Sequence, residues 1–104
     1  MKKATFYTLL YNRKTGAVAV VKQGYSDGTY YYYYNRDCAT WHAIHPRTGV
    51  SVSDAGTRKK CAEIAHTPRR AAAVDKKLSL FGEELIKRFD AAVNRDMIGE
   101  GAKN

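Results

Sequence analysis

Five consecutive tyrosines, Tyr30, Tyr31, Tyr32, Tyr33 and Tyr34, sit in a chain of 104 residues. Aromatic residues favour strands, and a strand sends successive side chains to opposite faces. Tyr30, Tyr32 and Tyr34 therefore look one way, Tyr31 and Tyr33 the other. A simple one-sided sheet buries only one of these sets, so the other needs a cover of its own.

The segments around the run share this pattern. "TFYTLLY", "AVAVVKQ", the tyrosine run, "CATWHAIH" and "VSVS" are apolar alternating stretches separated by "NRKTG", "GYSDG", "NRD" and "PRTG". Asp27-Gly28 between two such stretches predicts a type I′ hairpin turn. "YNRKTGAVAV" and "HPRTGVSVS" share a basic residue, Thr-Gly and then small or branched residues, which reads as two similar hairpins. Both faces are apolar: Tyr7, Leu9 and Tyr11 oppose Phe6 and Leu10, Val18 and Val20 oppose Ala19 and Val21, and Trp41 and Ala43 oppose Ile44.

The period changes at Thr57. "TRKKCAEIAH" places Cys61, Ile64 and Ala65 along one side of a short helix, with Thr57 as N-cap. Thr67 then caps a second helix with Pro68 in its first turn. Val74, Leu78, Phe81, Leu85, Phe89 and Val93 recur every three or four residues and form its apolar stripe. Gly82 inside this helix costs about 1 kcal/mol relative to Ala and suggests a kink or a close contact near Ser79 to Gly82. The fold expected is α+β in one domain, residues 1–104. About five antiparallel strands span residues 4–53, helices span 57–66 and 68–94 on one sheet face, and the tail 95–104 frays. The helices cover one face, so a second copy of the chain is the expected cover for the other.

Eighteen Lys and Arg against ten Asp and Glu give a net charge of +8, which favours polyanionic partners and argues against an acidic mimic of nucleic acid. Lys2 and Lys3 before an apolar run resemble the start of a signal peptide, but Thr5, Thr8 and two tyrosines dilute that run and Asn12, Arg13 and Lys14 end it. No apolar stretch approaches the roughly 18 residues that span a bilayer. A cytoplasmic protein with Cys38 and Cys61 as free thiols is expected.

Residues 57–77 hold Arg58, Lys59, Lys60, Arg69, Arg70, Lys76 and Lys77 against Glu63 and Asp75, which is +5 of the net +8. Arg58 to Lys60 and Arg69 to Arg70 fall in the first turns of the expected helices, where the helix dipole disfavours cations by about 0.3–1 kcal/mol each. Stability alone does not select them there. An anion at either place meets backbone N–H groups, the positive dipole end and cationic side chains together. The seven cations are accordingly the candidate phosphate-binding residues. Tyr30 to Tyr34 and Trp41 are the candidates for base stacking or for an interface.

Cys38, His42, His45, Cys61 and His66 supply enough ligand types for zinc, but His42 and His45 point to opposite faces of a strand and no paired Cys-x2-Cys knuckle exists. Asp37, His42 and His45 are the compact set a metal-dependent nuclease would need, although Asp37 reads as part of the "NRDC" turn. No Walker loop, nucleophile elbow or pair of catalytic carboxylates is present. Neither a cofactor nor a catalytic residue is assigned.

The stretch "WHAIHPRTGVSVSDAGTRKKCAEIA" resembles a pattern of small phage and mobile-element accessory proteins: an aromatic strand, a Pro-x-Thr-Gly turn, a second strand, then a Thr-capped helix. The resemblance implies a bacterial host cell and a non-enzymatic role, such as blocking a host defence system by occupying an effector complex or sequestering a nucleotide signal. It carries no site residue over. The reading preferred from the residues is a basic binding protein for nucleic acid, a nucleotide or a nucleoprotein complex. The alternatives are an inhibitor of the anti-CRISPR type that engages a host protein, and a small metal-dependent nuclease.

Overall fold

The computed structural model describes residues 1–12, 14 and 16–103. Five strands, β1 (Lys2–Asn12), β2 (Gly16–Ser26), β3 (Tyr31–Asn35), β4 (Thr40–Ile44) and β5 (Ser51–Ala55), precede α1 (Arg58–Ala65) and α2 (Pro68–Lys103). The strands form one antiparallel sheet in sequential order. The expected α+β architecture is present, with strands extending slightly beyond 4–53. Among the described residues no helix is long and apolar enough to cross a membrane.

The β2–β3 connection is not the two-residue type I′ turn. Gly28 has φ +90° but Asp27 does not share a positive φ, and four residues separate the strands. The Asp27 side chain takes over the role of the tight turn, because its Oδ1 accepts from the backbone N–H groups of Thr29 (2.9 Å) and Tyr30 (2.8 Å).

The sheet curls strongly. β1 and β2 pair along their whole length, whereas β2 meets β3 only at Tyr25↔Tyr32 and Ser26↔Tyr31. Beyond that short junction the sheet folds over until β1 reaches the β4–β5 turn. There Leu9 N–H donates to the Gly49 carbonyl at 2.8 Å, and Thr8 Oγ1 donates to the same oxygen at 3.2 Å. Gly24 lies at the junction, where a Cβ would overlap the Tyr32 carbonyl.

This curl supplies the missing cover. Tyr30 and Tyr32 pack with Ala43, Val52, Cys61 and Ala65 beneath α1. Tyr33 packs on the opposite side with Phe6 and Ile44, and half-buried Tyr31 joins them. The premise that nothing in the chain can cover the second tyrosine set fails, because Phe6 of β1 bends over it. Self-association through that face loses its main reason. Exposed large apolar side chains include Leu10, on the same β1 face as Phe6, Tyr11 and Val21 of the hairpin, and Leu80 and Phe81 of α2.

Thr57 caps α1 as expected, its side chain accepting from Lys60 N–H at 3.2 Å. Thr67 Oγ1 accepts from Arg70 N–H at 3.3 Å at the start of α2. Phe89 and Ala92 bury against Leu9 and Ala19 of the hairpin, and Leu85 is buried one turn earlier, each large side chain contributing about 1.5–3 kcal/mol. Phe81 departs from the expected stripe and stays 53 % exposed. Helical backbone continues to Lys103, past the expected end of the helix at Asn94. Propagating an established helix fixes one residue per added hydrogen bond and needs no new nucleus. Gly82 is not enforced by close packing, because a Cβ there would make only ordinary contact with Leu78.

Candidate functional site

Asp27 positions α1 against the sheet. Its Oδ2 accepts from the fully buried Tyr32 hydroxyl and from His66 Nε2, both at 2.7 Å. His66 is the C-cap of α1, so one carboxylate joins the β2–β3 turn, the middle of β3 and the end of the helix. Partial burial raises the Asp27 pKa, but the hydrogen bonds from Tyr30, Tyr32, His66 and Thr29 outweigh it and hold the group at about 2. Burial first, then the adjacent carboxylate, pushes the Tyr32 hydroxyl far above its ordinary value, so it remains a donor.

With α1 fixed in this way, its first residue meets an aromatic edge. The Arg58 guanidinium carbon lies 4.3 Å from the Tyr25 ring centroid and 5.8 Å from that of Trp41. Trp41 stands 6.1 Å from Tyr25 and 5.7 Å from Tyr34, centroid to centroid. The strand register explains the cluster: Tyr25 pairs with Tyr32 and Tyr34 with Trp41, so these side chains share the α1 face just beyond the helix start. Tyr34 is 45 % exposed, and Tyr25 and Trp41 are half-buried. Lys59 and Lys60, both exposed, follow Arg58 in the same helical turn, with Lys60 in a loose 3.9 Å ion pair to Glu63.

This geometry divides the expected site. Of the aromatic candidates, Tyr34 and Trp41 lie on the edge, while Tyr30, Tyr32 and Tyr33 are no more than 7 % exposed and cannot stack a ligand. Half-buried Tyr31 stacks on Phe6. The cations do not form one cluster. Arg58, Lys59 and Lys60 border the aromatic edge, Arg70 and Lys77 line a cleft between α2 and β5, and Arg69 and Lys76 are exposed on α2. Arg58 also has a local reason for its position, since ring faces worth about 0.5–2 kcal/mol offset the unfavourable helix dipole.

Sequence reasoning missed Tyr25, whose place beside Trp41 follows only from the β2–β3 register. It missed Asp27 as a tether because Asp-Gly was read as turn chemistry alone. The histidines separate: His42 stacks on Tyr33, at 5.4 Å and 22°, and contacts Thr40 Oγ1 at 3.1 Å, whereas His45 lies in the α2 cleft. Among the described residues no three His, Cys, Asp or Glu side chains group to hold a metal ion, so Asp37, His42 and His45 do not converge. Cys38 and Cys61 are both free, the first exposed and the second buried.

No protein-family model, curated protein or solved structure matches the chain.

Proposed function

We propose that the protein is a non-enzymatic binder of single-stranded nucleic acid, with the aromatic edge as its platform. The observation that carries this reading is the placement of Arg58 over Tyr25 and Trp41 beside exposed Tyr34. Bases stack on open ring faces in a sequence-tolerant way, each worth about 1–3 kcal/mol, while neighbouring cations hold the phosphates. Tyr34 and Trp41 offer the rings, and Arg58, Lys59 and Lys60 supply the charge at a helix start. An open row of rings suits an extended strand better than one nucleotide, which gains most from an enclosed pocket.

Trp41 is the single tryptophan and therefore reports on its own site. Titration with a short oligothymidylate is expected to quench its emission, with log K falling against log salt at a slope of about −2 for three phosphate contacts. Tyr34→Ala should weaken binding by about 1–3 kcal/mol at every salt concentration. Replacing Lys59 and Lys60 together by Ala should instead flatten the salt slope. Unchanged emission at saturating oligonucleotide, or affinity indifferent to salt, overturns the reading.

A further inference from the structure

The middle of α2 carries a pattern that the aromatic edge does not use. In "KKLSLFGEE", residues 76–84, two lysines precede the apolar pair Leu80 and Phe81, and two glutamates follow it. Leu80 is 64 % exposed and Phe81 53 %, and all four charged residues are exposed as well. Phe89 and Ala92 dock the helix on the hairpin, so the exposed pair is surplus to the core of this chain. Phe81 also borders a groove of about 570 Å³ whose lining includes Leu9, Tyr11 and Val50, which extends the apolar surface from α2 toward the hairpin.

The charges around this pair have no use within one chain. Lys76, Lys77, Glu83 and Glu84 make no ion pair among the described residues. Two helical turns separate Lys76 from Glu83 and Lys77 from Glu84, so each pair lies along one flank of the helix, with Leu80 between the flanks. That separation, about 10 Å along the axis, is too long for a bridge inside the helix. The sign of the charge nevertheless reverses across Leu80, and a reversed copy of the same helix is complementary to it at both ends.

We propose that two copies of the chain associate through this face, α2 against α2 in antiparallel orientation about a two-fold axis beside Leu80. Lys76 of one protomer then comes beside Glu83 of its partner and Lys77 beside Glu84, and the same contacts recur across the axis. Leu80 meets its counterpart at the centre, and the two Phe81 rings flank it on the hairpin side. A parallel arrangement would set lysine against lysine and glutamate against glutamate, and an unrelated apolar partner would make no use of the sign reversal. Burial of the apolar pair supplies the affinity, while exposed ion pairs, worth little each, select the orientation. The face on α2 and the aromatic edge beside α1 are independent, and either reading can fail alone.

Sedimentation velocity over a concentration series tests this in the intact, nuclease-treated protein, so that bridging by a polyanion does not count. The sedimenting species is expected to shift from one chain to two as concentration rises. Leu80→Asp should weaken association by about tenfold or more, with an unchanged thermal melt because the side chain is exposed. Lys76→Glu with Lys77→Glu makes the strip wholly acidic, and Glu83→Lys with Glu84→Lys makes it wholly basic. Each double variant should stay a single chain where the native protein is a dimer. Combining all four substitutions restores the sign reversal and should restore the dimer, which shows that the double variants lost a contact and not their fold. A single chain at every concentration of the native protein overturns the proposal and leaves the face to another partner. A dimer that survives Leu80→Asp overturns it too, since the contact would lie elsewhere. So does a fourfold variant that remains a single chain, because an antiparallel pairing would then be absent.

Discussion

The rings of Phe6 and Tyr31 lie parallel, 4.6 Å apart between centroids with 3° between their planes. β2 separates their strands, so the contact exists only because the sheet folds over at its shortest junction. Phe6 therefore acts as the lid of the second tyrosine face. Phe6→Ala should cost about 3–5 kcal/mol in urea unfolding and expose Tyr31 and Tyr33 to solvent. A loss below about 1 kcal/mol would show that something other than Phe6 covers that face.

Acid stability should depend on Asp27. Its folded pKa of about 2 lies below the ordinary 3.8, so its contribution is complete above 3.8 and lost as pH falls from there toward 2. Asp27→Asn should be less stable near neutral pH by about 1–3 kcal/mol, with the deficit closing as pH falls through that window. His45 adds a second limb at higher pH. Burial depresses its folded pKa below 6.5, so stability falls as pH drops through 6.5 and the unfolded chain takes up a proton that the folded ring resists. Denaturant midpoints measured from pH 7 to 2 in both proteins check these signs. A constant difference between them across the acid range would remove Asp27 from the account.

Backbone geometry predicts opposite outcomes for small substitutions. Gly24→Ala forces a Cβ into the Tyr32 carbonyl and should destabilise by about 2 kcal/mol or more. Gly82→Ala meets only ordinary contact in mid-helix and should stabilise by about 0.5–1 kcal/mol. Ala39 sits at φ +54° in the β3–β4 turn, so Ala39→Gly should relieve strain of about 1 kcal/mol, less the added flexibility of the unfolded chain. Thermal melts of the three variants should therefore shift down, up and slightly up. A Gly24→Ala protein as stable as the native one would contradict the tight β2–β3 junction.

Thiol chemistry should separate the two cysteines. Cys38 is exposed, whereas Cys61 is fully buried beneath Trp41 and Ser53, and burial pushes its thiol pKa up. A chromogenic disulfide reagent should modify one thiol in the native protein and two in denaturant. Rapid native reaction of both would show that α1 opens readily from the sheet.

Local pattern determined a great deal. The alternating runs, the turn residues and the helical spacing after Thr57 were enough to predict five antiparallel strands and two helices with caps at Thr57 and Thr67, because these depend on side-chain periodicity and on hydrogen bonds only a few residues long. The tyrosine run likewise had to be a strand with two apolar faces. What covers the second face was decided by tertiary structure. A narrow β2–β3 junction with glycine at position 24 lets the sheet fold over, and that curvature brings Phe6 of β1 onto Tyr31 and Leu9 to the Gly49 carbonyl. The basic segment shows the same division. Its cations were legible as charge, but only the packing of α1 through Asp27 and His66 sets Arg58 over Tyr25 and Trp41, and only the docking of α2 turns Arg70 and Lys77 toward a different cleft. Periodicity tells each side chain which face it occupies, while its neighbours depend on where distant strands and helices meet, and local sequence does not encode that distance.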